Sequence, residues 1–345
     1  MAMMARSWLW GLGAGLVTVT VLGLIDLLTS VTMLGAFLLG VFVTALTAPP
    51  SLVLVVGVYA LVWAVALGYD DGYWTPAHWL RLAVVVVGTA AAVLGSSARQ
   101  RKDAALIRIA NVAEVAQRAL LRPLDARYDG VDMAVRYLSS TDDALVGGDV
   151  YDVEVTSWGL RVLVADVCGH GLEAVDKAST ITFAFREAAH TCESLDDVVA
   201  MVERSFRRIA DRADFATAVL LEIDAGTVKV ANCGHPDPLV LRPTGFTWLS
   251  PGRRTVPIGL GTSPSPQRLL LVPGERLLVY TDGLIEARDR AGGFFDLERH
   301  AQHCFSASSL ERALDALIAE LHDHAGGSLS DDVIAFAVQV NSTRR

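Results

Sequence analysis

The chain has 345 residues, is 52% hydrophobic and still carries a formal net charge of −9. Apolarity and charge coexist because they are segregated: residues 1–98 hold five charged side chains, Arg6, Asp26, Asp70, Asp71 and Arg81, while the other 247 residues hold 62. This excludes a uniformly soluble protein, and the acidic second half excludes a nucleic-acid binder, which needs basic patches.

The first half divides into spans. Residues 8–25 carry no charge, and neither do 27–69. As one helix those 43 residues would reach about 65 Å, twice a bilayer core of roughly 30 Å. The segment must fold back, and Pro49-Pro50 supplies the turn. Four helices are expected near 8–26, 29–48, 51–69 and 79–97. They make an all-α transmembrane region over 1–98, with Trp79 and Arg81 at the interface. Arg99, Arg101, Lys102 and Arg108 follow the last span, whereas the loop 70–78 carries two acids. That bias puts the second half in the cytoplasm, at an inner membrane, and returns the N-terminus to the same side. A cleaved signal peptide is the competing reading of 1–25, but its apolar core exceeds the usual ~7–15 residues. The spans hold little polarity beyond Asp26, which favours an anchor or a small sensor over a carrier.

Residues 99–122 lack glycine and proline. Leu106, Ile109, Ala113, Ala116 and Leu120 repeat at spacings of 3, 4, 3 and 4, a short a/d seam. Two readings stand: an amphipathic helix packed on its own domain, or a helical linker pairing two copies as a homodimer. Pro123 ends the helix.

From 123 to 345 the pattern alternates. Strands are expected at 131–138, 149–156, 160–167, 216–223, 227–233, 238–242, 276–281 and 332–340. Two helices are expected between 171 and 210 and a third at 307–324. Asp224-Ala225-Gly226 and Ser157-Trp158-Gly159 are hairpin signals. Strands on short turns with helices in blocks give an α+β class. Cys168, Cys192, Cys233 and Cys304 are scattered without C-x-x-C spacing, so no thiolate metal site is expected.

The acids carry the chemistry. Asp149 opens one strand, behind two glycines that are poor strand formers. Asp166 closes the next, Asp282 ends another, and Asp331 and Asp332 open the last. If strands bring these carboxylates together, like-charge repulsion demands cations. Hard divalent ions such as Mg²⁺ and Mn²⁺ prefer such oxygen donors. One such acid alone is usually a turn or a helix cap.

In order, GGDVYD (147–152), ADVCGHG (165–171), ANCGHPDP (231–238), YTDGLIEARD (280–289) and DDVIAFAV (331–338) resemble the PP2C-like serine/threonine phosphatases of bacteria. The likeness is to the SpoIIE/RsbU group that acts in sigma-factor control. QRALLRPLD (117–125) is similar to the segment that precedes the domain there. The resemblance runs from about 112 to 341 and implies an antiparallel β-sandwich flanked by helices.

It also implies that Asp149, Asp166, Asp282 and Asp331 are ligands to two Mn²⁺ or Mg²⁺ ions, with Asp166 bridging and the backbone carbonyl of Val167 contributing. Asp166, Asp149 and Asp282 would be the catalytic set, with Asp332 a neighbour. The implied activity is hydrolysis of phosphoserine or phosphothreonine by a metal-activated water, with no covalent enzyme intermediate. The implied substrate is a phosphorylated regulatory protein, typically a STAS-type anti-sigma-factor antagonist. A catalytically silent, membrane-tethered module that sequesters a partner is the alternative. Cys168 stands where Ser or another small residue is frequent in the group, and Ile334 where Thr or Ser is common; none of the implied ligands is lost. His170 reads as a solvated loop histidine, and His235 as part of a structural hairpin. Asp152 and Tyr151 are expected to be structural. Residues 257–260 read as a flexible loop near the site that contacts the protein substrate.

Overall fold

The computed structural model describes residues 2–29, 35–71, 75–124, 126–128, 130–139, 147–243, 245–306 and 309–341. The chain separates into two compact units, Met1–Ile107 and Arg108–Arg345. The division falls inside one helix, within the segment expected as a linker.

The first unit contains α1 (Ala2–Thr29), α2 (Leu38–Thr47), α3 (Pro50–Asp71) and the start of α4 (Pro76–Leu120). Among the described residues three stretches are long and apolar enough to cross a membrane: Trp8–Thr29, Pro50–Gly68 and Pro76–Ile109. The span expected near 29–48 is helical over Leu38–Thr47, and 30–34 lie outside the described residues. Ten residues make about 15 Å of helix, half a bilayer core. Pro50 opens α3, where its missing N–H costs nothing.

Small residues let α1 and α2 approach closely. A Cβ on Gly40 would lie 2.6 Å from the Gly15 carbonyl. Arg81 is fully buried among the helices, with Nη2 3.7 Å from Asp26 Oδ2. A buried charge in an apolar helix bundle must be paired, and the pair ties α4 to α1. Arg99 donates to the carbonyls of Ala45 (2.5 Å) and Ala48 (3.1 Å), giving the end of α2 a cation.

The second unit holds the end of α4 and the following elements. These are β1 (Arg127–Tyr128), β2 (Val131–Leu138), β3 (Val150–Thr156), β4 (Gly159–Val167), α5 (Leu172–Thr191), α6 (Leu195–Phe206), β5 (Ala216–Asp224), β6 (Thr227–Cys233), β7 (Leu239–Arg242) and β8 (Gly245–Trp248). They continue with β9 (Gln267–Leu270), β10 (Arg276–Tyr280), α7 (Asp282–Glu286), α8 (Leu297–Cys304), α9 (Leu310–Ala325) and β11 (Val333–Val340). A six-stranded sheet has the order β1-β2-β11-β10-β7-β8, and a five-stranded one β3-β4-β5-β6-β9. Every pairing between these strands is antiparallel.

Period-two alternation builds the layers. Leu160, Val162 and Val164 of β4 share one core with Leu277 and Val279 of β10 and with Ile334, Phe336 and Val338 of β11. That core lies between the sheets. Leu163 and Ala165 face the opposite way, against Ile181 and Phe185 of α5 and Val198 and Val202 of α6. Leu278 and Ala335 face Leu314 and Leu317 of α9. The result is helices, sheet, sheet, helices. Ala225 and Gly226, with φ of 47° and 82°, form the tight β5–β6 turn, whose twist requires positive φ at both positions.

The expected a/d seam divides. Ala113 is buried against Val175 of α5, with Ala116 and Leu120 beside it. Leu106 and Ile109 are exposed. The last turns of α4 thus pack on their own domain.

Arg161 is the buried hub of the five-stranded sheet. Nε and Nη2 donate to Glu222 Oε2 at 3.0 and 2.6 Å. Nη1 reaches the carbonyls of Ala189 (2.9 Å) and Cys192 (2.6 Å), and Nη2 that of Glu193 (2.7 Å). One guanidinium therefore fastens the end of α5 to β4.

Candidate active site

The acids are continuations of the inward-facing rows. On β4 the row Leu160–Val162–Val164 runs on to Asp166. On β11 the row Val338–Phe336–Ile334 runs back to Asp332. On β10 Leu277–Val279 leads to Thr281, and Tyr151 of β3 leads back to Asp149. Four strand ends from two sheets meet there, where the apolar core gives way to carboxylates.

Short contacts join them. Thr281 Oγ1 donates to Asp149 Oδ2 at 2.7 Å and accepts from the Ile334 N–H at 2.9 Å. Tyr137 OH (2.7 Å) and Gln117 Nε2 (3.2 Å) both donate to Asp332 Oδ2. The same Gln117 amide reaches the Asp149 carbonyl at 3.2 Å. The Asp332 N–H donates to Asp331 Oδ1 at 2.8 Å.

Burial and mutual repulsion set the protonation. Burial, then the charge of Asp166, holds the Asp149 carboxyl well above the usual carboxylate range. Asp166 is pushed up to about 7, first by burial and then by Asp282 and Asp331, although a hydrogen bond with Asp149 offsets part of this. Asp282 is raised by burial, then by Asp331 and Glu286. Asp331 is raised by partial desolvation and by Asp332 and Glu286. Tyr137 is raised by burial and by Asp332. Carboxyls that raise one another in this way form a donor set suited to hard cations.

Of the expected site residues, Asp149, Asp166, Asp282 and Asp331 are brought into one another's field. Asp332, expected as a neighbour, is the buried member of its pair at 2% exposure, while Asp331 is exposed. Among the described residues, no three His, Cys, Asp or Glu side chains close into a ready-made coordination shell. The acids share a field, with Asp166 hydrogen-bonded to Asp149. Gln117, Tyr137, Thr281 and Glu286 were missed from sequence. Alternation along β10 could have found Thr281, and the i, i+4 spacing on α7 could have found Glu286.

The two glycines before Asp149 now have a reason. A Cβ on Gly148 would lie 2.3 Å from the Val167 carbonyl oxygen and 2.7 Å from its Cβ. A Cβ on Gly147 would lie 2.7 Å from Asp332 Oδ2. Val146 lies outside the described residues. Gly148→Ala is expected to displace the Val167 carbonyl, lower stability by about 1–3 kcal/mol and cut turnover about a hundredfold. Gly252→Ala, where a Cβ meets nothing within 4 Å, is the control. Turnover and melting temperature that match between the two variants would remove the carbonyl from the site.

Asp152 is buried and paired with Arg186 at 2.5 Å, and Tyr151 OH donates to the Arg122 carbonyl at 2.8 Å. His235 is buried, with Nδ1 2.7 Å from Thr217 Oγ1. Its N–H donates to Asn232 Oδ1 at 2.9 Å, and its carbonyl accepts from Asn232 Nδ2 at 3.0 Å. Burial pushes the imidazole down to about 3, so it stays neutral and ties the turn. His170 and Cys168 are exposed in the loop before α5.

Comparison with known proteins agrees with this geometry. The family model described as Stage II sporulation protein E (SpoIIE) matches residues 156–341, more than half of the chain. Asp166, Asp282 and Asp331 lie within that stretch, and Asp149 lies before it. Protein IcfG of Synechocystis is 30% identical over 234 residues, 57% of this chain and 36% of IcfG. The chain thus spans about a third of the length of that relative. The RsbU and RsbW domains of Rv1364c from Mycobacterium tuberculosis share 27% identity at a TM-score of 0.53, over 61% of this chain and 60% of that one. The SiaA-PP2C domain of Pseudomonas aeruginosa superposes at 0.57 with 20% identity, covering 71% of this chain and 98% of that one. The PP2C domain of SpoIIE from Bacillus subtilis, solved with a fragment of its regulatory domain, superposes at 0.51 with 15% identity, over 63% and 64%. The last two likenesses show the fold.

Proposed function

This chain belongs to the SpoIIE family, and on that premise we propose that it is a membrane-anchored, metal-dependent protein serine/threonine phosphatase. The observation that supports it is the meeting of acid-bearing strand ends from two sheets, where burial, and then the charges of Asp282 and Asp331, push Asp166 up to about 7. Asp149, Asp166, Asp282, Asp331 and the Val167 carbonyl would hold two Mn²⁺ or Mg²⁺ ions. When bound, those ions supply Lewis-acid stabilisation of phosphoryl oxygens and acidify water.

The chain's own residues set the frame. Thr281 occupies one oxygen of Asp149 and leaves the other to the centre. Tyr137 and Gln117 hold Asp332, whose N–H in turn orients Asp331. The substrate would be a phosphorylated regulatory protein of STAS type. The three apolar helices would anchor the chain in an inner membrane with the second unit in the cytoplasm. A homodimer would use the exposed Leu106 and Ile109 of α4. By domain, 1–98 would be the membrane region, 99–122 the linker and 123–345 the phosphatase.

The test is hydrolysis of a phosphoserine peptide by the full chain in detergent, with Mn²⁺ and then with excess EDTA. Turnover that needs the ion supports the reading, and turnover that survives EDTA overturns it. The rival reading is a silent binding module of the same fold. Peptide binding by calorimetry without turnover under either condition would establish that rival.

A further inference from the structure

The connection between β8 and β9 contains a segment fixed on three sides. Ile258 is fully buried and pairs with Ala216 through both backbone bonds, at 2.9 and 2.8 Å. Ala216 pairs on its other side with Val167. Ile258 therefore stands two strand spacings, roughly 10 Å, from the residue next to Asp166. Glu203 of α6, 6% exposed, accepts the Gly259 N–H at 2.6 Å and the Gly261 N–H at 2.9 Å. Thr255 Oγ1 donates to the Asn232 carbonyl at 2.9 Å. Gly259 has a φ of 97°, and a Cβ there would lie 2.8 Å from the Phe206 ring. The segment is held, not flexible.

On this fixed frame Val256 and Leu260 are 44% and 48% exposed. Burying a carboxylate is costly unless it is fully hydrogen-bonded, and here its two acceptors hold a segment whose apolar side chains face water. Such a preorganised apolar surface binds with little ordering cost. The nearby centre narrows the occupant. On the phosphatase reading the phosphate sits at the acids and the ions they would hold, so what reaches beyond it is the rest of the substrate. A small phosphate ester cannot span roughly 10 Å, whereas three extended residues do.

We propose that Val256 and Leu260 form a docking ledge for apolar residues about three positions from the phosphorylated Ser or Thr of a protein substrate, and that Glu203 positions it. This rests on the phosphatase reading above.

The test uses the full chain in detergent with Mn²⁺ and three probes. Two are phosphoserine peptides, with leucine or glycine three positions to either side, and the third is p-nitrophenyl phosphate. Wild type is expected to prefer the leucine peptide in kcat/KM. Leu260→Asp and Val256→Asp are each expected to lower the leucine-to-glycine ratio about tenfold. Glu203→Gln is expected to lower the same ratio, because an amide oxygen can accept for only one end of the clamp. Melting temperature and p-nitrophenyl phosphate turnover separate a lost ledge from a lost fold. An equal wild-type preference for both peptides, or a ratio unmoved in both Asp variants, overturns the ledge. Inactivity toward all three probes overturns the phosphatase reading, and the ledge with it.

Discussion

Asp166→Asn is expected to reduce turnover by about a thousandfold or more, while the melting temperature in EDTA stays level or rises. The carboxyl lies at the end of the inward row of β4, in the field of Asp149, Asp282 and Asp331, and a neutral amide there is a poorer donor to a hard cation. Losing several kcal/mol of charge stabilisation corresponds to that rate effect. The stability half of the prediction follows from linkage. Folding lifts Asp166 to about 7 from roughly 3.9 in an unfolded chain. A carboxyl raised on folding binds protons more tightly in the native state. Its ionisation therefore works against the fold above the unfolded value, by on the order of 2–4 kcal/mol at neutral pH. Asparagine removes that opposition. Turnover near wild type would sink the proposed ligand set, and a sharp fall in melting temperature without metal would mean that the carboxylate supports the core.

Arg161→Ala is expected to cost about 3–5 kcal/mol, the largest single effect on stability. It strips a fully buried Glu222 of its main partner and leaves the carbonyls of Ala189, Cys192 and Glu193 without their donor. Lys229, 2.5 Å from the other Glu222 oxygen, remains as partial compensation. The measure is the urea midpoint of the full chain in detergent, followed by circular dichroism. A loss below about 1 kcal/mol would mean that water replaces the guanidinium. The pair Arg161→Met with Glu222→Met is expected to recover much of the loss, because no buried charge is then left alone.

The long strands were legible because alternation and turn residues coincide there. β2 and β6 fall where their hydrophobic pattern puts them, and the Ala225-Gly226 turn is written in its glycine. The two-residue β1 and the four-residue β8 and β9 were not legible, since so short a run carries no period. α7 was missed because its first residue, Asp282, reads equally as the end of a strand. At the site, acids at strand ends were visible, but the choice between Asp331 and Asp332 was not made from alternation, which would have put Asp332 inward with Ile334 and Phe336. Gln117 could not be read at all, because its partners lie far along the chain. The same holds for the ion pair of Arg81, whose partner Asp26 lies far away along the chain.

Each sheet carries part of the carboxylate centre: Asp149 and Asp166 ride on the five-stranded sheet, Asp282 and Asp331 on the six-stranded one. The two sheets are therefore a pair of jaws, and the centre is assembled where they meet. A slip of one residue along a strand, about 3.3 Å, would part the jaws without breaking a ladder within either sheet. The centre thus depends on how the jaws meet as much as on the aspartates themselves.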